Sequence, residues 1–125
     1  MLNRIKPATV YLHRPCSVVA VGTAMGLGNS DRTAINALYS PKLKKSGYLS
    51  LPAMNTLVRA HLPVRRCVKF TKGNRPTLAA WAESHAGTQA VICVLGHFLY
   101  YDGTRYHSYG YNAGDPVVCV WELDK

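Results

Sequence analysis

The sequence predicts an α+β fold in which helices come first and an antiparallel sheet follows. Three observations carry this. Helix starts, caps and apolar residues three and four apart occupy most of the chain before residue 90. From Ala90 onward the pattern changes to short β-type apolar runs such as residues 90–95 and 117–123. Between two of these runs sits Asp102-Gly103, a two-residue hairpin signal. Helices and strands segregated in this way read as α+β. The 125 residues suit one domain, 1–125, and 48% apolar content allows a buried core and excludes a disordered chain.

A short strand is expected at residues 10–12. Pro15 then suits the first position of a helix, and Cys16 opens a run rich in valine and alanine that ends in Gly26 and Gly28. Its valines favour a strand, but its length, its proline and its closing glycines favour a buried helix. Ser30 and Asp31 cap a second helix reaching Tyr39, with Ala34, Ile35 and Leu38 on one face. Residues 40–50 read as a basic loop. A third helix starts at Pro52, places Met54, Leu57, Val58 and His61 at helical spacing, and stops at Pro63. Residues 66–71 read as a strand. Thr77 caps a fourth helix through His85, with Leu78, Trp81 and Ala82 inward and Gly87 as its stop. Strands follow at residues 90–95, 97–101, 104–109 and 117–123. Tyr100, Tyr101, Tyr106, Tyr109 and Tyr111 cluster around the hairpin and read as sheet packing with outward hydroxyls.

The formal net charge is +9, unevenly spread. Residues 1–75 hold thirteen Lys/Arg and one acid, Asp31, whereas residues 76–125 hold two against five. Lys42, Lys44, Lys45, Arg65, Arg66, Lys69, Lys72 and Arg75 form the densest part, which suits an acidic host protein or nucleic acid, or simply a solvated face. No apolar run approaches the roughly 20 residues of a membrane helix, and the scattered apolar residues of the first fourteen do not read as a secretory signal. The chain is therefore expected to be soluble, made in a cytoplasm and without a membrane partner.

Four cysteines, Cys16, Cys67, Cys93 and Cys119, lack any Cys-x-x-Cys spacing, so no metal site and no cofactor are expected. Cys67, Cys93 and Cys119 lie in β-type apolar runs and read as buried small hydrophobes. Cys16 differs. A thiol attacks as thiolate, and a helix start and a nearby imidazolium both favour that form. A helix start also presents backbone N–H groups where an oxyanion forms. Cys16 is therefore the expected most reactive thiol, with a histidine of the sheet as its partner.

The arrangement Cys16 at the head of a helix, Thr77-Leu78, Trp81, the strand around Val91, Gly96-His97, Asp102-Gly103, Tyr106 and the strand ending near Trp121 resembles papain-like cysteine peptidases. It is closest to the small peptidase-like proteins of bacteriophages. The match runs in order over about residues 15–123 and is closest over residues 77–107. The resemblance implies a papain-like fold, with the nucleophile helix first among N-terminal helices packed on a C-terminal antiparallel sheet. It also implies Cys16 as nucleophile, His97 as general base, and Gly96 as a residue that lets backbone approach the site. Where the family carries an acid before the cysteine, this chain has Pro15. The upstream polar residue that helps form the oxyanion hole has His13 as its nearest counterpart. The acid that follows the tyrosine is here His107.

For the residue that orients His97 the reading ranks Asn112 first, His107 second and Asp115 third, since an amide oxygen accepts from an imidazole N–H without charge. The expected function is a thiol hydrolase acting on a protein or peptide through Cys16 and His97. If encoded by a phage, it would act in the host cytoplasm or in the virion. The alternative is an inactive papain-like fold that binds a host protein or nucleic acid through its basic half.

Overall fold

Four helices and a six-stranded sheet make up the computed structural model, which describes residues 3–45, 47–109 and 112–124. The helices are α1 (Cys16–Ala24), α2 (Arg32–Asn36), α3 (Leu51–His61) and α4 (Leu78–Ser84). The strands are β1 (Asn3–Ile5), β2 (Val64–Lys69), β3 (Ala90–Val94), β4 (His97–Tyr101), β5 (Arg105–His107) and β6 (Val117–Leu123). The fold is α+β. Tyr111 lies outside the described residues.

The sheet order is β1-β5-β4-β3-β6-β2. The sheet is mixed, not antiparallel: β1 runs parallel to β5, with Arg4 opposite Tyr106. One edge, β1, comes from the start of the chain, and the other, β2, lies between α3 and α4, so the expected separation of helices from strands is incomplete. The segment 3–5 has no alternation of its own and becomes a strand only by pairing with a partner about a hundred residues away. The strand expected at residues 10–12 is instead a 3₁₀ turn, Thr9–Tyr11. It buries Val10 and Tyr11, and the Tyr11 hydroxyl donates to Leu27 O at 2.8 Å.

Capping chemistry sets α3 and α4. Ser50 accepts from Ala53 N–H with Pro52 in the first turn, and Thr77 accepts from Ala80 N–H. In α2 the cap is less direct: Asp31 flanks the helix but its carboxylate accepts from Gly28 N–H, and the helix stops at Asn36, short of Tyr39. The valine run after Pro15 is helical. Pro15 is the flanking residue in an extended conformation, and Cys16 is the first helical one. Ser17, Val18, Val19, Ala20, Val21, Gly22 and Ala24 are all buried, so α1 is covered on every side and needs no polar face. Each buried valine contributes about 1.5–3 kcal/mol of transfer free energy, well above the fractions of a kcal/mol by which β-branching disfavours helix.

The sheet has a core on each face. On one, α1 and α3 cover Val91, Cys93, Phe98, Tyr100, Cys119 and Trp121. On the other, Leu78, Trp81 and Ala82 of α4 meet Ile92, Leu99, Tyr101, Tyr106 and Val120. The tyrosines are tied down: Tyr100 OH donates to Gln89 Oε1, Tyr101 OH to Gly103 O, and Tyr109 OH to Pro7 O. The β4–β5 turn is centred one residue later than expected. Asp102 N–H donates to Arg105 O, so Gly103 and Thr104 are the central pair, and Tyr101 faces Tyr106. Gly103 has φ 100°, and a Cβ there would come within 3.1 Å of Gly87 backbone.

Candidate active site

Cys16 reaches its position because α1 packs its first turn against β4. His97 reaches its position because β3 and β4 are joined by only Leu95 and Gly96, which makes His97 the first residue of β4, opposite Val94. Gly96 serves this turn through its φ of 74°. A Cβ there would meet nothing within 4 Å, so no neighbouring atom of the chain itself requires a glycine at this position.

The two side chains line two cavities together. One, of about 170 Å³, is walled by Cys16, Tyr48, Leu49, Leu51, Cys93, Val94, Leu95, Gly96, His97, Phe98 and Val118. It is largely apolar, with exposed Tyr48 and Leu95 on its walls. The second, of about 200 Å³, is lined by Arg14, Cys16, Val19, His97, Ser108 and Tyr109.

Cys16 is half-buried, and burial pushes its thiol above the ordinary value of 9.0. Backbone N–H groups of Phe98, Ser17 and Cys16 itself oppose this by hydrogen bonding to the sulfur. His97 shifts the other way: burial pulls its imidazole below 6.5, against the nearby Asp115 carboxylate. At neutral pH the pair therefore rests as thiol and neutral imidazole, with N–H donors already aimed at the sulfur.

His97 Nε2 is hydrogen-bonded to Ser108 Oγ. The Ser108 hydroxyl also lies 3.2 Å from Tyr109 O, and with its proton on that carbonyl it is an acceptor for His97 Nε2–H. In that arrangement Nδ1 is the basic nitrogen of the ring. Ser108 is 1% exposed, so the contact is sheltered from water.

The residues ranked for this orienting role are placed differently. His107 Nε2 contacts Asp102 Oδ2 at 3.0 Å and its ring lies against Tyr100. Asn112 is exposed, and its backbone N–H donates to Asp115 Oδ2 at 3.0 Å. Asp115 acts on His97 only through its charge in the contacts described. No sequence signal singles out Ser108: the β4–β5 pairing, Tyr100 with His107 and Tyr101 with Tyr106, brings the residue after β5 beside the start of β4. His13, the candidate oxyanion residue, is exposed at φ 64° and lines neither cavity among the described residues. The N–H groups at the start of α1 are the donors that reach the sulfur instead.

Two of the other thiols are held back by their environment. Burial, with neighbouring thiols, pushes Cys93 and Cys119 up to about 12. Cys67 Sγ lies 3.5 Å from Cys119 Sγ, and all four cysteines are free. Among the described residues no group of three His, Cys, Asp or Glu is arranged to hold a metal ion, and no helix is long and apolar enough to cross a membrane. No family model, curated protein or solved structure matches the chain.

Proposed function

We propose that the chain is a papain-like thiol hydrolase that cleaves a peptide or isopeptide bond, with Cys16 as nucleophile, His97 as base and Ser108 as the residue that positions His97. The observation that carries this reading is that the His97 ring, hydrogen-bonded to Ser108 through Nε2, lines both cavities together with the Cys16 thiol. With the Nε2 proton shared toward Ser108, Nδ1 serves as the base.

In this mechanism His97 Nδ1 removes the Cys16 proton as sulfur attacks the substrate carbonyl. The thiolate and the oxyanion draw on N–H groups at the start of α1 and at Phe98. The imidazolium then gives its proton to the leaving amine, and the bond to that amine breaks to leave a thioester on Cys16. Water, deprotonated by the same ring, hydrolyses the thioester and restores the thiol. The apolar wall of Tyr48, Leu49, Leu51 and Phe98 suits an apolar side chain beside the scissile bond.

The test is covalent labelling with an epoxide or iodoacetamide probe, mapped by mass spectrometry, on the native chain and on Cys16→Ala, His97→Ala and Ser108→Ala. Modification centred on Cys16 and slowed by the other two substitutions supports the hydrolase. Equal modification of all four cysteines, or indifference to His97→Ala, removes it. The second reading, an inactive relative that binds an acidic partner, draws on the acid-free stretch between Asp31 and Glu83. It moves to the front on that result.

A further inference from the structure

Leu51, the first residue of α3, lines the Cys16 cavity on one side and a second, open cavity of about 720 Å³ on the other. The second cavity is lined by Leu51, Pro52, Asn55, Thr56, Arg59, Cys67, Lys69 and Trp121. It lies on the same face of the sheet as Cys16, since Cys67 pairs with Trp121 and Lys69 with Cys119, and both partners belong to the core under α1 and α3. Its two charged residues are both cationic. Neither Arg59 nor Lys69 has a carboxylate partner among the described residues, whereas the neighbouring Arg65 and Arg66 are both engaged by Glu122. Arg59 is held in place: its Nε donates to Asn55 Oδ1 at 3.0 Å, and that oxygen also accepts from Trp121 Nε1 at 3.0 Å.

We infer that this basin is a specificity site for an acidic side chain of a peptide whose apolar residue occupies the Cys16 cavity. The assignment rests on the hydrolase reading for the order of events at Cys16. The recognition itself needs only the cleft. Charge complementarity selects the occupant, because two unneutralised cations face a shared space that holds no carboxylate of its own. The neighbouring cavity selects peptide over nucleic acid. Its lining is Tyr48, Leu49, Leu51, Val94, Leu95 and Phe98, which suits a hydrophobic side chain and offers no cation to a phosphodiester. The loop that supplies Tyr48 and Leu49 also carries Lys42, Lys44 and Lys45, so an acidic peptide meets the same sign of charge along its approach.

The test uses the full chain carrying Cys16→Ala and two fluorescein-labelled peptides. They share one leucine and differ in a Glu-Glu or a Gln-Gln pair beyond it. Fluorescence anisotropy at low salt should give about threefold to tenfold tighter binding of the Glu peptide, the size expected of two solvent-exposed charge pairs. The preference should shrink as salt rises. Arg59→Gln with Lys69→Gln should erase it, so that the two peptides bind that variant equally. Lys69→Glu alone, an exposed change that spares the Asn55 network, should turn it against the Glu peptide. Equal affinity for the two peptides overturns the assignment. So does a preference that survives the double substitution, or an oligonucleotide that binds through Arg59 and Lys69 more tightly than the Glu peptide. Labelling of Cys16 in the native chain is read separately. A chain whose thiol ignores His97 but whose basin selects the Glu peptide loses the hydrolase reading and keeps this one.

Discussion

Ser108 Oγ is hydrogen-bonded to His97 Nε2 and also lies 3.2 Å from Tyr109 O. A neutral hydroxyl thus stands where a carboxylate or amide stands in many histidine sites. Being neutral, it does not raise the basicity of the ring, and burial leaves His97 below its ordinary value. The site consequently rests uncharged.

Ser108→Ala should therefore weaken catalysis without unfolding the chain. Loss of the hydroxyl removes the hydrogen bond to His97 Nε2, at about 1–3 kcal/mol, and loosens the hold on the ring. Acylation of Cys16 should fall about tenfold to a hundredfold, less than the roughly 10⁴ seen where a charged orienter is lost. Ser108→Thr, which keeps the hydroxyl, should recover part of the rate. Equal losses in the two variants, measured by probe acylation, would assign Ser108 to packing alone.

The pH dependence has two parts. Because burial holds the Cys16 thiol above 9.0, simple alkylation by iodoacetamide should climb with an inflection above that value. Cys93 and Cys119, pushed up to about 12, should lag behind. Because His97 is held below 6.5, its ring is a neutral base at pH 7. The acid limb of kcat/KM should therefore lie below 6.5. Mapping alkylation rates by mass spectrometry and recording a pH–rate profile check both statements.

Glu122 couples stability to acid. Burial tends to raise its carboxyl, but hydrogen bonds and charge from Arg66 and Arg65, at 2.9 and 3.2 Å, outweigh this and hold it below the ordinary 4.5. A carboxylate lowered in the folded state stabilises above its unfolded value, and that contribution is lost as pH falls through the folded one. Both arginines are more than half exposed, so the contribution is modest, about 1 kcal/mol. Glu122→Gln should lower Tm by about 3–6 °C at pH 7. The gap to the native chain should narrow as pH falls below 4.5, as measured by thermal melts across that range.

Gly22 sits in the middle of α1 for a steric reason. A Cβ there would lie 2.8 Å from both Cε1 and the hydroxyl of Tyr11, whose OH reaches Leu27 O. Gly22→Ala gains helix propensity of about 1 kcal/mol but forces the buried Tyr11 ring to move, at about 1–3 kcal/mol. The variant should be net destabilised in denaturant titration. In a Tyr11→Ala background the same substitution should become stabilising.

The local signals in this sequence determined much of the fold. Ser50 with Pro52, Thr77, and the strands β3, β4 and β6 stand within a residue or so of where caps, turns and apolar runs put them. So does Cys16 at the head of a helix. These features depend on neighbours a few residues away, and capping and turn chemistry is local. Only tertiary structure decided the rest. The valines of α1 are helical because the core covers the whole helix, not because of their propensity. Asn3–Ile5 is a strand because β5 offers it a partner, and the turn after β4 slips by one residue because Asp102 pairs with Arg105. Ser108, and not Asn112 or His107, holds His97 because the β4–β5 pairing brings the residue after β5 beside the start of β4. The basin of Arg59 and Lys69 exists because β2 returns to pair with β6 beside α3. Each of these depends on residues distant in sequence, whose meeting is set by the packing of the whole chain rather than by any pattern within a segment.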